Sequence, residues 1–263
     1  MRQLALFIFA SSVPAAAMCA AQPATKAAEE QILVDDLKAQ EDPTILKSRA
    51  WIEAEWNNDR HDASLLEVTL GGRKGWRISD RQDWAMQIEV PYRRTDPGDF
   101  GGNAVEHGLA DIKIAVGTAR HLSETVRIGG ALELRMPTGE AELSGNIWRL
   151  QELVAVAWDA TPWLTFSPKA EYNQTIARQN GAASQHFLEL FFPATFLLPD
   201  RWSVTPRYKV KVDFENDFTT HSGKLSVGKQ LKQPELGLGL SLKVPLDRQS
   251  TEYQLIFSVT NYF

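Results

Sequence analysis

Cysteine is nearly absent: Cys19 is the single one in 263 residues. A lone thiol excludes a disulfide framework and any multi-cysteine metal centre. Also missing is any run of about 18 consecutive apolar residues, which excludes a membrane-spanning helix. Positive charge is in deficit, with 28 Lys and Arg against 33 Asp and Glu for a net of -5, and this argues against a nucleic-acid partner. The five histidines are scattered singly, without H-x-x-x-H spacing, so neither a metal site nor a cofactor is expected. No phosphate-binding glycine loop is present; Gly71-Gly72 and Gly101-Gly102 read as turn pairs.

What is present is alternation. In the last segment, Tyr253, Leu255, Phe257, Val259 and Phe263 share one face of a strand, while Glu252, Gln254, Ser258 and Thr260 share the other. A final strand ending on an aromatic residue is characteristic of outer-membrane barrels. Similar segments recur near 49–57, 63–71, 83–93, 108–119, 124–137, 148–158, 163–173, 185–197, 202–214, 221–231, 235–246 and 252–263. The fold class expected is therefore all-β: a transmembrane antiparallel up-and-down β-barrel of about 12 strands, with a short N-terminal helical or irregular segment. Tight connections (121–123, 160–162, 199–201, 232–234) alternate with mostly longer ones (96–105, 138–146, 176–183, 215–220). Short periplasmic turns and long external loops follow this rule, which puts both termini on the periplasmic side of a bacterial cell outer membrane. The link 71–82 is too long for its side and suggests an extra short strand near Trp76. Trp51, Trp84, Trp158, Trp163, Trp202 and Phe263 would form one interfacial belt, and Trp56, Tyr92, Tyr172, Phe214 and Tyr253 the other. Glu152 falls on the lipid side, and a bulge or an inverted facing of that half-strand would resolve it.

Three segments follow: a signal peptide over 1–21, a periplasmic arm or plug over 22–48, and the transmembrane barrel over 49–263. Arg2, the short apolar run 4–10 and the small residues up to Ala21 read as an export signal cleaved after Ala20 or Ala21, with lipidation of Cys19 as the rival. Residues 26–39 are rich in helix formers, and Ile32, Leu33 and Leu37 make a short apolar stripe ended by Pro43. A mobile arm and a helix entering the lumen both fit this composition.

Inward positions carry the functional information in a barrel. The basic ones are Arg207, Lys209 and Lys211 in a ladder, with Lys169, Arg127 and Arg135 on other walls; the acidic ones include Glu53, Glu55, Glu89 and Glu133. Opposed basic and acidic walls would create a transverse field across a narrow pore. Ion pairing that simply fills a small barrel is the alternative. Phe187 and Phe191 are apolar at inward positions and would give a greasy patch or reflect a misassigned facing. Inward Gly237 and Gly239 would relieve crowding, with the Tyr262 ring over bare backbone. Glu106-His107 with Asp111 reads as a solvated external loop. His221 and Ser222 are adjacent in a strand, point to opposite faces and cannot meet as base and nucleophile, so no enzyme is expected.

Gly108-Leu-Ala-Asp-Ile112 followed by Leu132-Glu-Leu-Arg-Met-Pro-Thr-Gly139 resembles the outer-membrane barrels grouped as the "MetA-pathway of phenol degradation" family. Ala110 stands where that family usually has a second glycine. The resemblance covers most of the chain beyond residue 49. It implies a barrel associated with uptake of aromatic or other small hydrophobic compounds, and it carries no catalytic residues. The expected function is a passive channel for small solutes. The alternative is a closed structural barrel that binds a periplasmic partner through residues 22–48. Expected partners are the lipid bilayer, small solutes and the barrel-assembly machinery, engaged through the strand ending at Phe263, with the protein itself a monomer.

Overall fold

The computed structural model describes residues 34–59, 63–96, 105–140, 143–232, 236–247 and 251–263. The expected signal peptide over 1–21 and the start of the 22–48 segment lie outside the described residues. Beyond residue 48 the chain is strand after strand: β1 (Arg49–Asp59), β2 (Ser64–Ser79), β3 (Gln82–Asp96), β4 (Glu106–Leu109), β5 (Lys113–His121), β6 (Val126–Arg135) and β7 (Ile147–Thr161). The second half continues with β8 (Leu164–Phe166), β9 (Lys169–Arg178), β10 (His186–Leu198), β11 (Trp202–Asp213), β12 (Phe218–Gln230), β13 (Leu236–Pro245) and β14 (Thr251–Tyr262).

Pairing is antiparallel throughout and joins neighbouring staves. β14 pairs with β1 from Arg49↔Tyr262 to Asp59↔Thr251, which closes the ring. β4 and β5 both lie on β3 and form one interrupted stave; β8 and β9 do the same between β7 and β10. Counted as staves, the barrel has 12 strands. Closure leaves no sheet edge, so every strand can face hydrocarbon with its backbone groups satisfied.

The alternation decides the facing. Ile52, Leu70, Met86, Ile88, Val116, Leu132, Val154, Phe192, Leu225, Leu240 and Phe257 are all exposed on the outer wall. Water would not tolerate so continuous an apolar girdle, and a bilayer requires it. This is an outer-membrane barrel. Trp158, Trp163, Trp202 and Phe263 are exposed at the end holding the termini, and Trp56, Tyr92 and Phe214 at the other.

Some sequence expectations fail for local reasons. The 71–82 link hides no extra strand: β2 simply runs on to Ser79, with Trp76 opposite Trp84, and turns at residues 80–81. Gly71-Gly72 is therefore strand interior, not a turn. Trp51 faces inward instead of joining the belt; its indole covers Gly71 so closely that a Cβ there would overlap the ring, and Arg49 stacks at 4.8 Å. Glu152 stays on the outer wall, opposite Leu132 and Tyr172. The bulge in that strand falls at Trp148/Arg149, too early to turn Glu152 inward.

Candidate functional site

The inner wall carries the charged side chains in neighbouring pairs. In the β9–β11 sector Lys169 bonds Glu171 at 2.6 Å, Lys209 bonds Glu189 at 2.6 Å and Lys211 lies 3.5 Å from Asp213. Across the bore Arg93 bonds Glu67 at 2.6 Å and Lys113 bonds Glu89 at 2.9 Å. Strand geometry explains this, because side chains two apart on one strand (Lys169–Glu171, Lys211–Asp213) and those facing or diagonal across a ladder (Arg93–Glu67, Lys113–Glu89, Lys209–Glu189) stand closer than the two walls do. The expected basic wall against an acidic wall is thus largely cancelled locally. Glu133 and Arg135 sit on β6 next to Lys113, Glu55 accepts from Asn57 at 2.9 Å, and Glu53 lies opposite Thr69 and Ser258. These site residues ring the lumen and do not converge on one point.

Phe187 and Phe191 do face inward, but not as a bare greasy patch. Lys169, Lys209 and Arg207 stand 4.5, 5.3 and 5.4 Å from the Phe191 ring, and Lys211 stands 4.2 Å from Phe187. The rings act as posts on which the cations lean.

The N-terminal segment is where the lumen charges converge. Residues 34–38 are helical, and Asp36, Leu37, Lys38, Ala39, Asp42 and Thr44 are buried. Arg127 donates to Asp42 at 2.9 Å and to Asp159 at 2.7 Å; Lys38 donates to the same Asp159 at 2.8 Å. Asp42 also accepts from the Thr44 hydroxyl and amide at 2.7 and 2.8 Å. On the other side of the bore, Glu41 takes Lys224 at 2.9 Å, Arg207 at 3.3 Å and the Ser226 hydroxyl at 2.8 Å. Burial alone would raise the Glu41 carboxyl; the Lys224 and Arg207 cations, with the bonds from Lys224 and Ser226, override it and hold the carboxyl at about 2.

Two inward glycines, Gly228 and Gly237, make the seat, while at Gly239 the Ser258 hydroxyl is the nearer neighbour. A Cβ at Gly228 would lie 2.7 Å from Gln40 Oε1, and one at Gly237 would lie 2.9 Å from Gln40 Nε2, with the Tyr262 ring 3.4 Å away. At Gly239 the Gln40 oxygen is 3.9 Å from such an atom. Tyr262 thus covers Gly237 as expected, yet the main guest is Gln40. Gln40, Glu41 and Asp42 were missed as site residues. Their only signal was the acidic run in a segment preceding a strand array with unusually bare inward positions.

The segment bridges β6–β8 to β11–β13 without filling the barrel. Beside Pro43 and Leu46 a gap of about 100 Å³ remains along Ala85, Ala115, Gly117 and Ala131, the small inward residues of β3, β5 and β6. At the terminal end a cavity of about 670 Å³ opens between residues 44–48 and Gly75, Arg77, Asp83 and His121.

At the external end the motif residues have a structural task. Asp111 is buried and accepts from the Ser144 hydroxyl at 2.6 Å, the Gly145 amide at 2.9 Å and the Gly139 amide at 3.4 Å. A Cβ on Gly139 would come within 2.9 Å of the Ala110 backbone. Glu106 and His107 are exposed as expected, but Glu106–Leu109 is paired strand on β3 rather than loop, and Asp111 is buried and ties down the loop after Pro137. His221 points outward to the Tyr208 hydroxyl at 2.7 Å while Ser222 is buried, so the two do not meet. Among the described residues no cluster of three or more His, Cys, Asp or Glu could hold a metal ion.

No family model and no curated protein matches this sequence. Solved structures share the architecture. The COG4313 outer membrane channel from Pseudomonas putida F1 superposes with a TM-score of 0.68 at 12% identity, over 83% of this chain and 96% of that one. The NanC porin gives 0.59 at 13% identity, over 80% and 98%. The Ralstonia pickettii toluene transporter TbuX gives 0.51 at 10% identity, over 86% and 93%. At these identities the likeness is one of fold.

Proposed function

We propose that this barrel is a passive channel for small solutes, narrowed by its own N-terminal segment. The single observation that carries the reading is a charged inner wall bridged, but not filled, by residues 34–48, with a gap of about 100 Å³ remaining beside Ala85, Ala115, Gly117 and Ala131. In this reading Arg207, Lys209, Lys211, Lys169, Arg127, Arg135, Glu53, Glu55, Glu89 and Glu133 line the solute path. Arg127 and Arg207 also anchor the plug.

The segment 22–48 acts as the plug, 1–21 as the export signal, and the strand ending at Phe263 as the handle for the assembly machinery. The 108–112 and 132–139 motifs support membership of the phenol-degradation barrel family, and with it solutes that are aromatic or otherwise small and hydrophobic. The fold shared with the toluene transporter is compatible with that solute class.

Planar-bilayer recording tests the proposal. Pure folded protein should conduct, and deleting residues 22–48 should raise the conductance. If neither protein conducts, the channel reading fails; if only binding of a periplasmic protein is lost and conductance is unchanged, the segment is an arm.

A further inference from the structure

Pro168, Pro193 and Pro206 lie close together on three neighbouring staves: Pro168 between β8 and β9, Pro193 in β10 and Pro206 in β11. Proline has no N–H to donate, and a closed barrel offers no edge strand where that loss is harmless. The ladders lapse accordingly. Pairing of β10 with its β8–β9 neighbour stops after Phe191↔Lys169 and resumes at Ala194↔Phe166. Pairing of β10 with β11 stops at Pro193↔Arg207 and resumes at Phe196↔Val204. The Ser167 amide still reaches the Pro193 carbonyl across the first gap, at 3.3 Å.

Both surfaces of this break are shaped. Outside, the wall is dented by an apolar groove of about 470 Å³ along Val154, Val156, Pro168, Ala170, Leu190 and Phe192. At the same break Ser167 is completely buried, and its hydroxyl has no partner among the described residues. An unbonded buried hydroxyl costs stability unless something else bonds it. Three absent donors in one patch of bilayer-facing wall likewise weaken a sheet that has no need of them for closure.

We propose that this seam is a lateral portal between lumen and hydrocarbon, binding a small neutral molecule with an apolar body and one hydroxyl or carbonyl. The body lies in the outer groove and, once the seam parts, the polar group reaches Ser167, which faces the lumen beside Thr165 and Lys169. Each missing ladder bond favours local opening by roughly fivefold, so the seam is the part of the wall that parts first. The inference rests on the channel reading, since the lumen is where the solute comes from, but its test reads the wall and not the current.

In a Cys19-free background, Ser167→Cys is treated in proteoliposomes with pyrene maleimide dissolved in the bilayer. Ser258→Cys, an inward position on β14 remote from the seam, is the control. Labelling at 167 should be roughly twenty-five-fold faster than at 258, as two missing bonds at about fivefold each would give, and Pro193→Ala, which restores an N–H, should slow it several-fold. Equal rates at the two positions, or no response to Pro193→Ala, would overturn the portal. Hydrogen exchange on the unsubstituted chain gives a second reading: amides at 192, 194, 195 and 205 should exchange faster than those of Leu240 and Leu242 on β13, and equal protection refutes the idea. A barrel that conducts but does not label at 167 loses only the portal. One that labels but never conducts loses only the channel reading.

Discussion

Glu41→Gln is the sharpest perturbation of the plug. The substitution preserves shape but leaves Lys224 and Arg207 facing an uncharged amide deep in the lumen. The depression of the Glu41 carboxyl from 4.5 to about 2 corresponds to about 3 kcal/mol of favourable interaction in the docked state. Removing one partner of a buried pair typically costs about 3–5 kcal/mol, which agrees. A loss of about 3 kcal/mol multiplies the undocked population roughly a hundredfold. Single-channel recording should therefore show Glu41→Gln spending far more time in the highest conductance level, with the barrel itself still folded. Adding Lys224→Met should cost less than the sum of the two single changes, because the pair is already broken. Open-time distributions identical to the parent would refute the docking model, and with it the assignment of residues 34–48 as a plug.

Acidification should act on the same latch. The docked carboxyl titrates at about 2 and the released one at the ordinary 4.5, so docking is fully stabilised above 4.5 and weakens as pH falls toward 2. Conductance should rise over that window in the parent, and a pH titration of Glu41→Gln should show a clearly smaller rise, because only the contacts of Asp42 and Asp159 then remain to be weakened. Gly228→Leu puts a side chain where Gln40 rests, so it should raise conductance as the deletion does while leaving detergent-extracted barrel folded; an unchanged current would show that the glycine seat does not hold the segment. Glu152→Leu should stabilise the barrel by about 1–2 kcal/mol in denaturant titrations in lipid, since a carboxylate on the lipid face costs less than the penalty for a cation there. A destabilised Glu152→Leu would mean that this carboxylate has a partner in the membrane.

The strand array was legible because a bilayer imposes a two-residue period on every stave, and that period is local. Leu236 to Leu246, or Trp84 to Tyr92, announce their outer face without reference to any other part of the chain. Strand number, closure and the end holding the termini follow from counting such segments and the lengths between them. Trp51 obeys the same period: it shares the inward face of Glu53 and Glu55, so its place in the belt rested on aromatic character alone, and Gly71 across the ladder gives the ring room. Asp111 is buried for a non-periodic reason, because a loop 33 residues later supplies its donors.

The site needed the closed structure. Arg127 meets Asp42 across 85 residues, and Ser226 meets Glu41 across 185. No spacing in the sequence encodes either pair, because wall and segment come together only after the barrel has closed around residues 34–48. Sequence alone thus determined a membrane barrel with a polar lining, through backbone pairing and hydrophobic period. Tertiary structure alone decided which lining charges face each other, which of them hold residues 34–48 and where the ladders lapse, since those depend on distances between strands and not on order along the chain.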